Sequence, residues 1–404
     1  MYDAIVIGAR CAGASTAMLL ARKGYKVLLV DRASFPSDVP RGHFIHKHGP
    51  RRLHRWGLLD RVVATGCPAV RSITMDLDDF PLVGRDLMSE GLAAGYGPRR
   101  SELDKVLLDA AVEAGAELRE GFVVEDFATD GGRVVGIRGR EKRGGAVTRE
   151  LAQITIGADG RNSRLARTVR APVYEATPSL ACWYFSYWGD IPDTEGLEIY
   201  LKQRSVIFAF PTNQGLFAIF IGWSIQEFHA VRSDIEGRFM TVIDRVPALA
   251  ERVRNGQREE RFYGTADVPN FLRRPYGAGW ALVGDAGCHK DPYMALGICD
   301  ALRDAELLAD AVDEGLSGRC LLDEALAGYE RLRNEATLEE YKQNLQLARL
   351  QPPPDDLLQL RAALRDNEEQ TNRFFMAREG MIAPETFFNP ENLQRIMVGA
   401  LAKT

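Results

Sequence analysis

The first 31 residues contain the pattern that most limits how this chain can fold. Residues 4–7 form a short apolar run rich in β-branched side chains, which is typical of a buried parallel strand. Gly8 allows a tight turn, apolar spacing predicts a helix over 13–23, and a second apolar run at 27–30 ends in Asp31. This order of elements predicts a βαβ unit of an α/β fold that binds an adenosine dinucleotide. The pyrophosphate would lie at the helix start and the acid on the ribose.

The glycine turn departs from the usual dinucleotide fingerprint because Arg10 stands where the middle glycine is expected. Its Cβ loosens the approach of the backbone to the phosphates, but its guanidinium is able to contact the dinucleotide directly. Cys11 at the helix start has two interpretations, an acidified thiol or a small residue that fills a crowded turn, and the second is the commoner. The predicted contacts of this unit are Gly8, Ala9, Arg10, Cys11, Ala12, Gly13, Asp31 and Arg32.

Charge and cysteine usage restrict the compartment and the partners. A formal net charge of −5 offers no electrostatic footprint for nucleic acid or an anionic membrane. No apolar run reaches the roughly 18 residues of a transmembrane helix, and the strand directly after Met1 is unlike a secretory signal. The six cysteines lie far apart without a C-x-x-C pair, which indicates reduced thiols. We therefore expect a cytoplasmic protein that acts on a small molecule, as a monomer or a homodimer.

A second segment, GWALVGDAGCHKDPYMALGICD, has features that suit a flavin. Residues 280–283 form an apolar run that predicts a buried strand ending at Asp285, and a long helix is predicted from Gly297, after a loop with Pro292. A carboxylate at a strand end can hold a polyol such as a ribityl chain. A glycine-led helix start presents free N–H groups and a positive dipole end. These would favour the N1/O2 edge of a flavin, which gains negative charge on reduction.

On this segment the chain resembles the flavoprotein monooxygenases of the p-hydroxybenzoate hydroxylase fold, which are related to flavin-dependent halogenases and geranylgeranyl-reductase-like enzymes. GDAGCHKDP is similar to the first half of their G-D-A…P…G motif. In the second half, Leu296 stands where Gln is common and Asp300 where Asn is common. The resemblance implies FAD as the cofactor. The implied contacts are Asp285 on the ribityl chain, Pro292, and the amides of Gly297 and Ile298, which face flavin N1 and O2.

Two further blocks match the same family in order and spacing. TIGADGRNSRLAR (155–167) is similar to the D-G motif, with Asp159 and Gly160 between the FAD site and a transient NAD(P)H site. YGPRRSELDKVLLDAAVEAGAEL resembles the helix whose opening arginine reaches the flavin nucleotide. Arg100 is the better candidate and Arg99 the second, against the alternative of a solvated helix start. NAD(P)H is thereby implied as a transient co-substrate.

The resemblance also implies the architecture. We expect an α/β fold with a Rossmann-like FAD-binding domain of the p-hydroxybenzoate hydroxylase type, an inserted antiparallel β-sheet substrate domain and a helical C-terminal tail. The prolines of QPPPDD predict a hinge between helices of a tail that packs back over the domains. The predicted boundaries are 1–70, 96–172 and 265–335 for the FAD-binding domain, 71–95 and 173–264 for the substrate domain, and 336–404 for the tail.

Aromatic residues are concentrated in the predicted substrate domain. Period-two alternation in CWYFSYW places Trp183, Phe185 and Tyr187 on one face of a strand. An aromatic sheet over a flavin suits a flat, apolar substrate, whereas packing against helices is the alternative for each ring. The predicted substrate contacts are Trp183, Phe185, Phe208, Phe210 and Met294.

Three histidines, His43, His46 and His48, lie within six residues and invite a metal interpretation. Against it, no Cys or carboxylate lies at ligand spacing, and Arg41 and Lys47 add repelling charge, so we expect no metal. The resemblance places the segment beside the flavin ring, where Arg41 is a candidate cofactor contact. His46 is a candidate proton acceptor, with a role in structuring the loop as the alternative.

The activity implied by the resemblance is hydroxylation of an aromatic or polycyclic small molecule, with NAD(P)H and O₂, through a C4a-hydroperoxyflavin, as in secondary metabolism. Geranylgeranyl-reductase-like enzymes carry Y-x-W-x-F-P-K. VIFAFPT (206–212) keeps Phe208, Phe210 and Pro211, which leaves reduction of an isoprenoid double bond as the alternative. Flavin-dependent halogenases bear W-x-W-x-I-P, which VIFAFP matches at Pro211 and in aromatic character. A flavin-binding protein without catalysis is the remaining class.

Overall fold

The computed structural model describes residues 1–192 and 195–401. Its first sheet has eight strands and combines parallel and antiparallel pairs. The predicted βαβ unit forms its centre, although the helix begins two residues earlier than predicted, at Cys11. In spatial order the strands are Glu117–Arg119, Val27–Val30, Tyr2–Ile7, Thr148–Gly157, Arg133–Glu141 and Phe122–Asp130, with Trp280–Leu282 beside Thr148–Gly157 and Tyr276–Gly277 beside Trp280–Leu282.

Helices cover one face of this sheet and bury the largest core cluster. The helix Gly297–Leu316 packs against the first helix, and the 26-residue helix Leu322–Leu347 packs against Gly297–Leu316. The apolar stripes of these helices and the strands of Val, Ile and Leu share one interior, because the apolar face of a sheet and the apolar stripe of a helix bury each other. The helices of this part of the chain are Cys11–Arg22, His48–Arg55, Leu59–Ala64, Arg100–Glu113, Arg164–Thr168, Gly297–Leu316 and Leu322–Leu347.

The second sheet also has eight strands and carries the aromatic residues. It is antiparallel except where Gly196–Lys202 runs parallel to Ser72–Asp76, so the segment 71–95 contributes strands to this sheet. In spatial order the strands are Gln257–Arg258, Ala181–Gly189, Phe217–Ser224, Ser205–Pro211, Gly196–Lys202, Ser72–Asp76 and Pro81–Gly84, with Tyr263–Thr265 beside Ala181–Gly189.

The alternation predicted along the first long strand of this sheet is present. Trp183, Phe185 and Tyr187 belong to the core on one face, whereas Tyr184 and Trp188 belong to the core on the other. The second face is covered by three helices that the β-rich interpretation of 173–264 did not anticipate: Phe228–Ser233, Ile235–Ile243 and Pro247–Asn255. Their apolar residues recur at helical spacing, and this signal was available in the sequence.

The C-terminal helices Asp355–Leu364, Glu368–Arg378 and Pro390–Leu401 pack on the first face of the second sheet. The triple proline follows the helix Leu322–Leu347 and precedes the next helix, as predicted. The predicted boundary between 335 and 336 is wrong as an element boundary, because Leu322–Leu347 runs through it without a break. The sequence there contains no helix breaker, so nothing ends the helix before the prolines.

Smaller elements connect these layers. Three short sheets are formed by Ile45–His46, Gly95–Tyr96 and Ala69–Val70; by Met88–Ser89 and Leu92–Ala93; and by Val173–Thr177, Asn270–Arg273 and Cys288–His289. Single 3₁₀ turns occur at Asn213–Gly215, Ile225–Glu227, Gly284–Ala286, Pro292–Met294 and Pro384–Thr386. Within the described residues, no helix is both long and apolar enough to cross a membrane.

Candidate active site

The glycine turn is built so tightly that side chains cannot be added. Gly8 has φ +101°, and a Cβ on it would lie 2.5 Å from the Ala158 carbonyl oxygen. A Cβ on Gly13 would lie 1.7 Å from the Gly8 carbonyl oxygen. Ala158 also donates its N–H to the Ile7 carbonyl at 2.8 Å, which closes the contact. The segment before Asp159 therefore packs directly on the glycine turn.

The other predicted motifs meet at the same place. Gly284, with φ +60°, lies so close that a Cβ on it would be 2.8 Å from the Ala12 Cβ. The Arg41 guanidinium lies 3.6 Å from an Asp285 carboxylate oxygen. A Cβ on Gly160 would lie 3.9 Å from the same guanidinium group. Segments around residues 12, 41, 160 and 285 thus come together in one region of the fold.

Asp31 supports the glycine turn with one carboxylate oxygen and the chain after it with the other. Oδ2 accepts the Ala9 N–H at 2.8 Å, and Oδ1 accepts the Ala33 N–H at 2.8 Å. Each oxygen can accept a second hydrogen bond, so the carboxylate keeps capacity for a ribose hydroxyl. Arg32, which follows it, is exposed.

Arg10 contacts protein groups rather than standing free over the turn. Its Nη1 lies 2.6 Å from the fully buried carboxylate of Asp104, and the guanidinium also donates to Ser37. Arg100 donates to the same carboxylate at 2.8 Å. Burial is the main reason that the pKa of Cys11 rises to about 12, so the acidified interpretation of this thiol is wrong and the small-residue interpretation holds.

Several arginines lie close enough together in this region to repel one another. Burial lowers the pKa of Arg41, Asp285 opposes that effect, and the neighbouring charges of Arg100, Arg161 and Arg10 lower it further. Mutual repulsion of this kind is relieved by an anion. Clustered guanidinium groups beside free helix N–H groups fit a pyrophosphate.

The start of the helix Gly297–Leu316 is open. Gly297 is exposed, a Cβ on it would meet no atom within 4 Å, and no side chain in the described part of the chain caps the helix. The first N–H groups of such a helix have no partner within the helix and carry the positive end of its dipole. The amides of Gly297 and Ile298 are thereby available to an acceptor.

The loop before this helix is held from three directions. Asn270 Oδ1 accepts the Asp291 N–H at 2.7 Å, Asn344 Nδ2 donates to the Asp291 carbonyl at 2.9 Å, and Asn344 Oδ1 accepts the Met294 N–H at 3.1 Å. The indole N–H of Trp183 donates to Asp291 Oδ1 at 3.1 Å. The loop is therefore rigidly connected both to the second sheet and to the long helix Leu322–Leu347.

The predicted aromatic contacts divide into two groups. Trp183 and Phe208 are stacked, with ring centroids 6.0 Å apart, and Tyr293 of the loop packs edge-on against Phe208 at 5.5 Å. These three rings form what we call the aromatic wall. Phe185 and Phe210 instead stack on Phe220 inside the core, which agrees with the packing alternative for those two rings.

The three clustered histidines have separate environments. His43 Nδ1 donates to the Gly97 carbonyl at 3.2 Å and Nε2 accepts the Tyr187 hydroxyl at 3.0 Å, and burial lowers its pKa to about 3. Burial also lowers the pKa of His48 to about 3. His46 lies between Glu379 and the Met294 carbonyl, at 2.7 and 3.0 Å. No group of three or more His, Cys, Asp or Glu side chains in the described residues could hold a metal ion.

A comparison with protein families explains why the predicted motifs lie together in the fold. Residues 1–339 match the FAD binding domain family. The chain belongs to this family. Its family, its fold and its class, an FAD-dependent oxidoreductase, are as predicted.

Relatives of this FAD-binding-domain protein differ in their chemistry. The digeranylgeranylglycerophospholipid reductase of Methanosarcina acetivorans is 26% identical over 355 residues, which are 83% of this chain and 81% of the reductase. The solved myxobacterial chondrochloren halogenase has a TM-score of 0.76 at 21% identity and covers 99% of this chain and 97% of its own. PqsL, a probable FAD-dependent monooxygenase from Pseudomonas aeruginosa, has a TM-score of 0.70 at 21% identity, over 93% of this chain and 99% of its own. The structural similarities show a shared fold.

Three residues near the FAD motifs were missed by sequence reasoning. Asn270, Asn344 and Glu379 each contact the loop 291–294 or His46, from distant parts of the chain. Single Asn and Glu residues in strands or helices carry no motif. The FAD-binding-domain match ends at 339, so for Asn344 and Glu379 the family likeness was also no guide.

Proposed function

We propose that the chain is an FAD-dependent monooxygenase that uses NAD(P)H and O₂ to hydroxylate an aromatic or polycyclic small molecule. The observation that carries this proposal is the contact of the aromatic wall with the loop before Gly297. Trp183 and Phe208 come from the sheet and Tyr293 from the loop, so aromatic surface lies next to the helix start that suits a flavin. A flat ring stacked there would be close to the cofactor.

The residues fit FAD in shape and in charge. A Cβ at Gly8 or Gly13 would collide with neighbouring backbone, so the turn is tight and the helix packs closely on the strand, as in dinucleotide-binding units. We assign the pyrophosphate to the turn with Arg41 nearby, the adenosine ribose to Asp31, and the ribityl chain to Asp285. The free amides of Gly297 and Ile298 would receive the pyrimidine edge. Asp159 Oδ1 is buried without a partner among the described residues and suits a bound hydroxyl or water.

When bound, FAD supplies the redox chemistry and the activation of O₂. The chain itself binds, orients and excludes water. Asn270 and Asn344 fix the loop, Trp183 fixes Asp291, and the partly buried rings of the aromatic wall would cover an apolar substrate.

A second candidate is reduction of an isoprenoid double bond. The reductase relative from Methanosarcina acetivorans covers most of this chain, and Phe208, Phe210 and Pro211 occur in order in a strand of the second sheet. An extended apolar substrate could also lie along the aromatic wall. The two candidates differ in whether O₂ is consumed.

The deciding experiment is a screen of phenolic compounds and isoprenoid lipids for faster reduction of the bound flavin by NADH and NADPH. Hydroxylation predicts O₂ uptake and a product heavier by one oxygen atom. Turnover without O₂ and a product with two added hydrogens would support the reductase instead, and halide-dependent product would indicate a halogenase. A preparation that never binds FAD would refute the whole proposal.

A matched pair of variants tests the aromatic wall. F208L removes one ring of the wall and should weaken the stimulation of flavin reduction by substrate, because stacking is lost. Ile207 precedes it and lies in the core on the opposite face, so I207V serves as the control. Equal stimulation in both variants would show that the substrate does not contact this wall.

A further inference from the structure

His46 faces two hydrogen-bond acceptors. Its Nδ1 lies 2.7 Å from Glu379 Oε2, and its Nε2 lies 3.0 Å from the Met294 carbonyl oxygen. A carbonyl oxygen can only accept, and an ionised carboxylate can only accept. Both contacts are hydrogen bonds at once when both ring nitrogens carry a proton, which is the imidazolium form.

The alternative is a neutral ring that accepts a proton from a protonated Glu379. The charges around Glu379 argue against it. Burial raises the pKa of this carboxyl, but its net shift is downward; besides the paired His46, whose charge is the point at issue, the permanently charged Arg378 and Lys47 next to Glu379 favour its ionised form. Glu379 is therefore an ionised acceptor, and the proton belongs to the ring.

This pair joins two distant parts of the chain. Glu379 directly follows the C-terminal helix Glu368–Arg378, whereas His46 lies in the short strand Ile45–His46. The side chains are 10% and 12% exposed, so water competes little with the contact. Met294, the other partner of His46, belongs to the loop that ends three residues later at Gly297.

We infer that Glu379 is a positioning residue, which holds the His46 imidazolium so that its Nε2–H fixes the Met294 carbonyl and the loop leading to the Gly297 and Ile298 amides. This inference rests on the proposed FAD site at those amides. The C-terminal tail is then part of the flavin-facing structure. The hypothesis of His46 as a proton acceptor is replaced, because neither ring nitrogen retains a lone pair to receive a proton.

The other charged and titratable groups around the pair are accounted for. Arg378 is partly buried and adjacent to Glu379, and Lys47 forms an ion pair with Glu340 at 2.8 Å. Burial keeps His48 neutral, with its pKa lowered to about 3, and raises the pKa of Tyr293 to about 12. The two acceptors of His46 are both bonded only while both ring nitrogens carry protons.

The first test is the protonation state of His46 in the full-length protein, by ¹⁵N NMR of labelled histidine rings. The sequence has six histidines, and H46Q assigns the signal. We expect both ring nitrogens of His46 to carry protons at neutral pH. In E379Q, whose uncharged amide no longer stabilises the imidazolium, we expect a neutral ring whose single proton is shared between Nδ1 and Nε2, so that the hydrogen bond to the Met294 carbonyl is made only part of the time. A neutral His46 in the wild type would overturn the inference.

The second test is hydrogen exchange of the loop amides in FAD-free protein. E379Q should speed exchange across residues 292–298 by about tenfold, because the loop loses one anchor. The control is E385Q, which changes an exposed acid of the same tail. Equal exchange in E379Q and E385Q would show that Glu379 does not position the loop.

The FAD titration separates this inference from the proposed function. If FAD binds the wild type and E379Q with the same affinity while the loop exchange is unchanged, the positioning role is refuted and the FAD site stands. If E379Q loosens the loop but FAD binds neither protein, the FAD site is refuted and the positioning role of Glu379 stands. We expect about a tenfold weaker affinity for FAD in E379Q, since the amides are less well ordered before binding.

Discussion

Asp291 offers a prediction that the structure makes quantitative. The residue is 3% exposed, its Oδ1 accepts from Trp183 and from the Tyr293 N–H, and its Oδ2 has no partner among the described residues. Burial raises its pKa from 3.8 to about 7. D291N keeps the accepting oxygen and removes the ionisable group, so it isolates the effect of the charge.

The sign and size follow from proton linkage. Between about pH 4 and pH 7 the folded chain holds a proton on Asp291 that the unfolded chain has released, so wild-type stability falls as pH rises through this window. A rise of about three pKa units corresponds to about 4 kcal/mol, at about 1.4 kcal/mol per unit. Asn does not titrate. The free energy of unfolding of D291N, relative to wild type, should therefore rise by up to about 4 kcal/mol between these pH values, whatever the fixed cost of the amide.

The assay is urea unfolding of the FAD-free full-length protein at several pH values across this window. D190N is the matched control, because Asp190 is exposed. We expect the D291N and wild-type stability curves to converge or cross as pH rises, and the D190N curve to stay parallel to wild type. A constant difference between D291N and wild type across the window would refute the reasoning.

Three further substitutions test the glycine turn, the buried carboxylate of Asp104 and the packing of the C-terminal tail. G13A should abolish FAD binding, measured by flavin fluorescence, because its Cβ would lie 1.7 Å from the Gly8 carbonyl oxygen; G328A, where a Cβ meets nothing within 4 Å, is the control. D104A should cost about 3–5 kcal/mol in urea unfolding, because it leaves buried Arg100 without its carboxylate. F374A should cost about 3–5 kcal/mol and expose the tail to trypsin, because the ring is fully buried.

Each of these predictions has a clear contrary result. FAD affinity of G13A equal to that of G328A would mean that the turn is not the phosphate site. A loss below about 1 kcal/mol in D104A would show that solvent reaches Arg100 easily. Unchanged trypsin cleavage in F374A, alongside V398A as an exposed control, would show that the tail is held by other contacts.

Local patterns were sufficient to predict the central βαβ unit and the sheet faces. The strand at residues 4–7, the turn at Gly8 and the acid Asp31 lie within one stretch, and a buried parallel strand needs a continuous apolar run. The alternation at Trp183 and Phe185 likewise reports one strand with two different faces. These features depend on near neighbours in the sequence, so the sequence contains them directly.

Contacts between distant residues were not predictable in this way. Glu379 and His46 are 333 positions apart, and neither side chain has a pattern that names its partner. Arg10 was expected near the dinucleotide, but Asp104, in another helix, accepts its hydrogen bond. Complementary charges can pair in many ways, and the choice among them depends on the completed packing.

Arg361 ties the tail to the hairpin of the second sheet. It is fully buried, and its guanidinium donates to Asp79 and to the carbonyls of Met75 and Phe80. A chimera that keeps the native tail but takes residues 71–95 from a relative without an acid at position 79 would enclose Arg361 without its carboxylate partner. We expect such an exchange to preserve stability only when the hairpin and the tail are moved together.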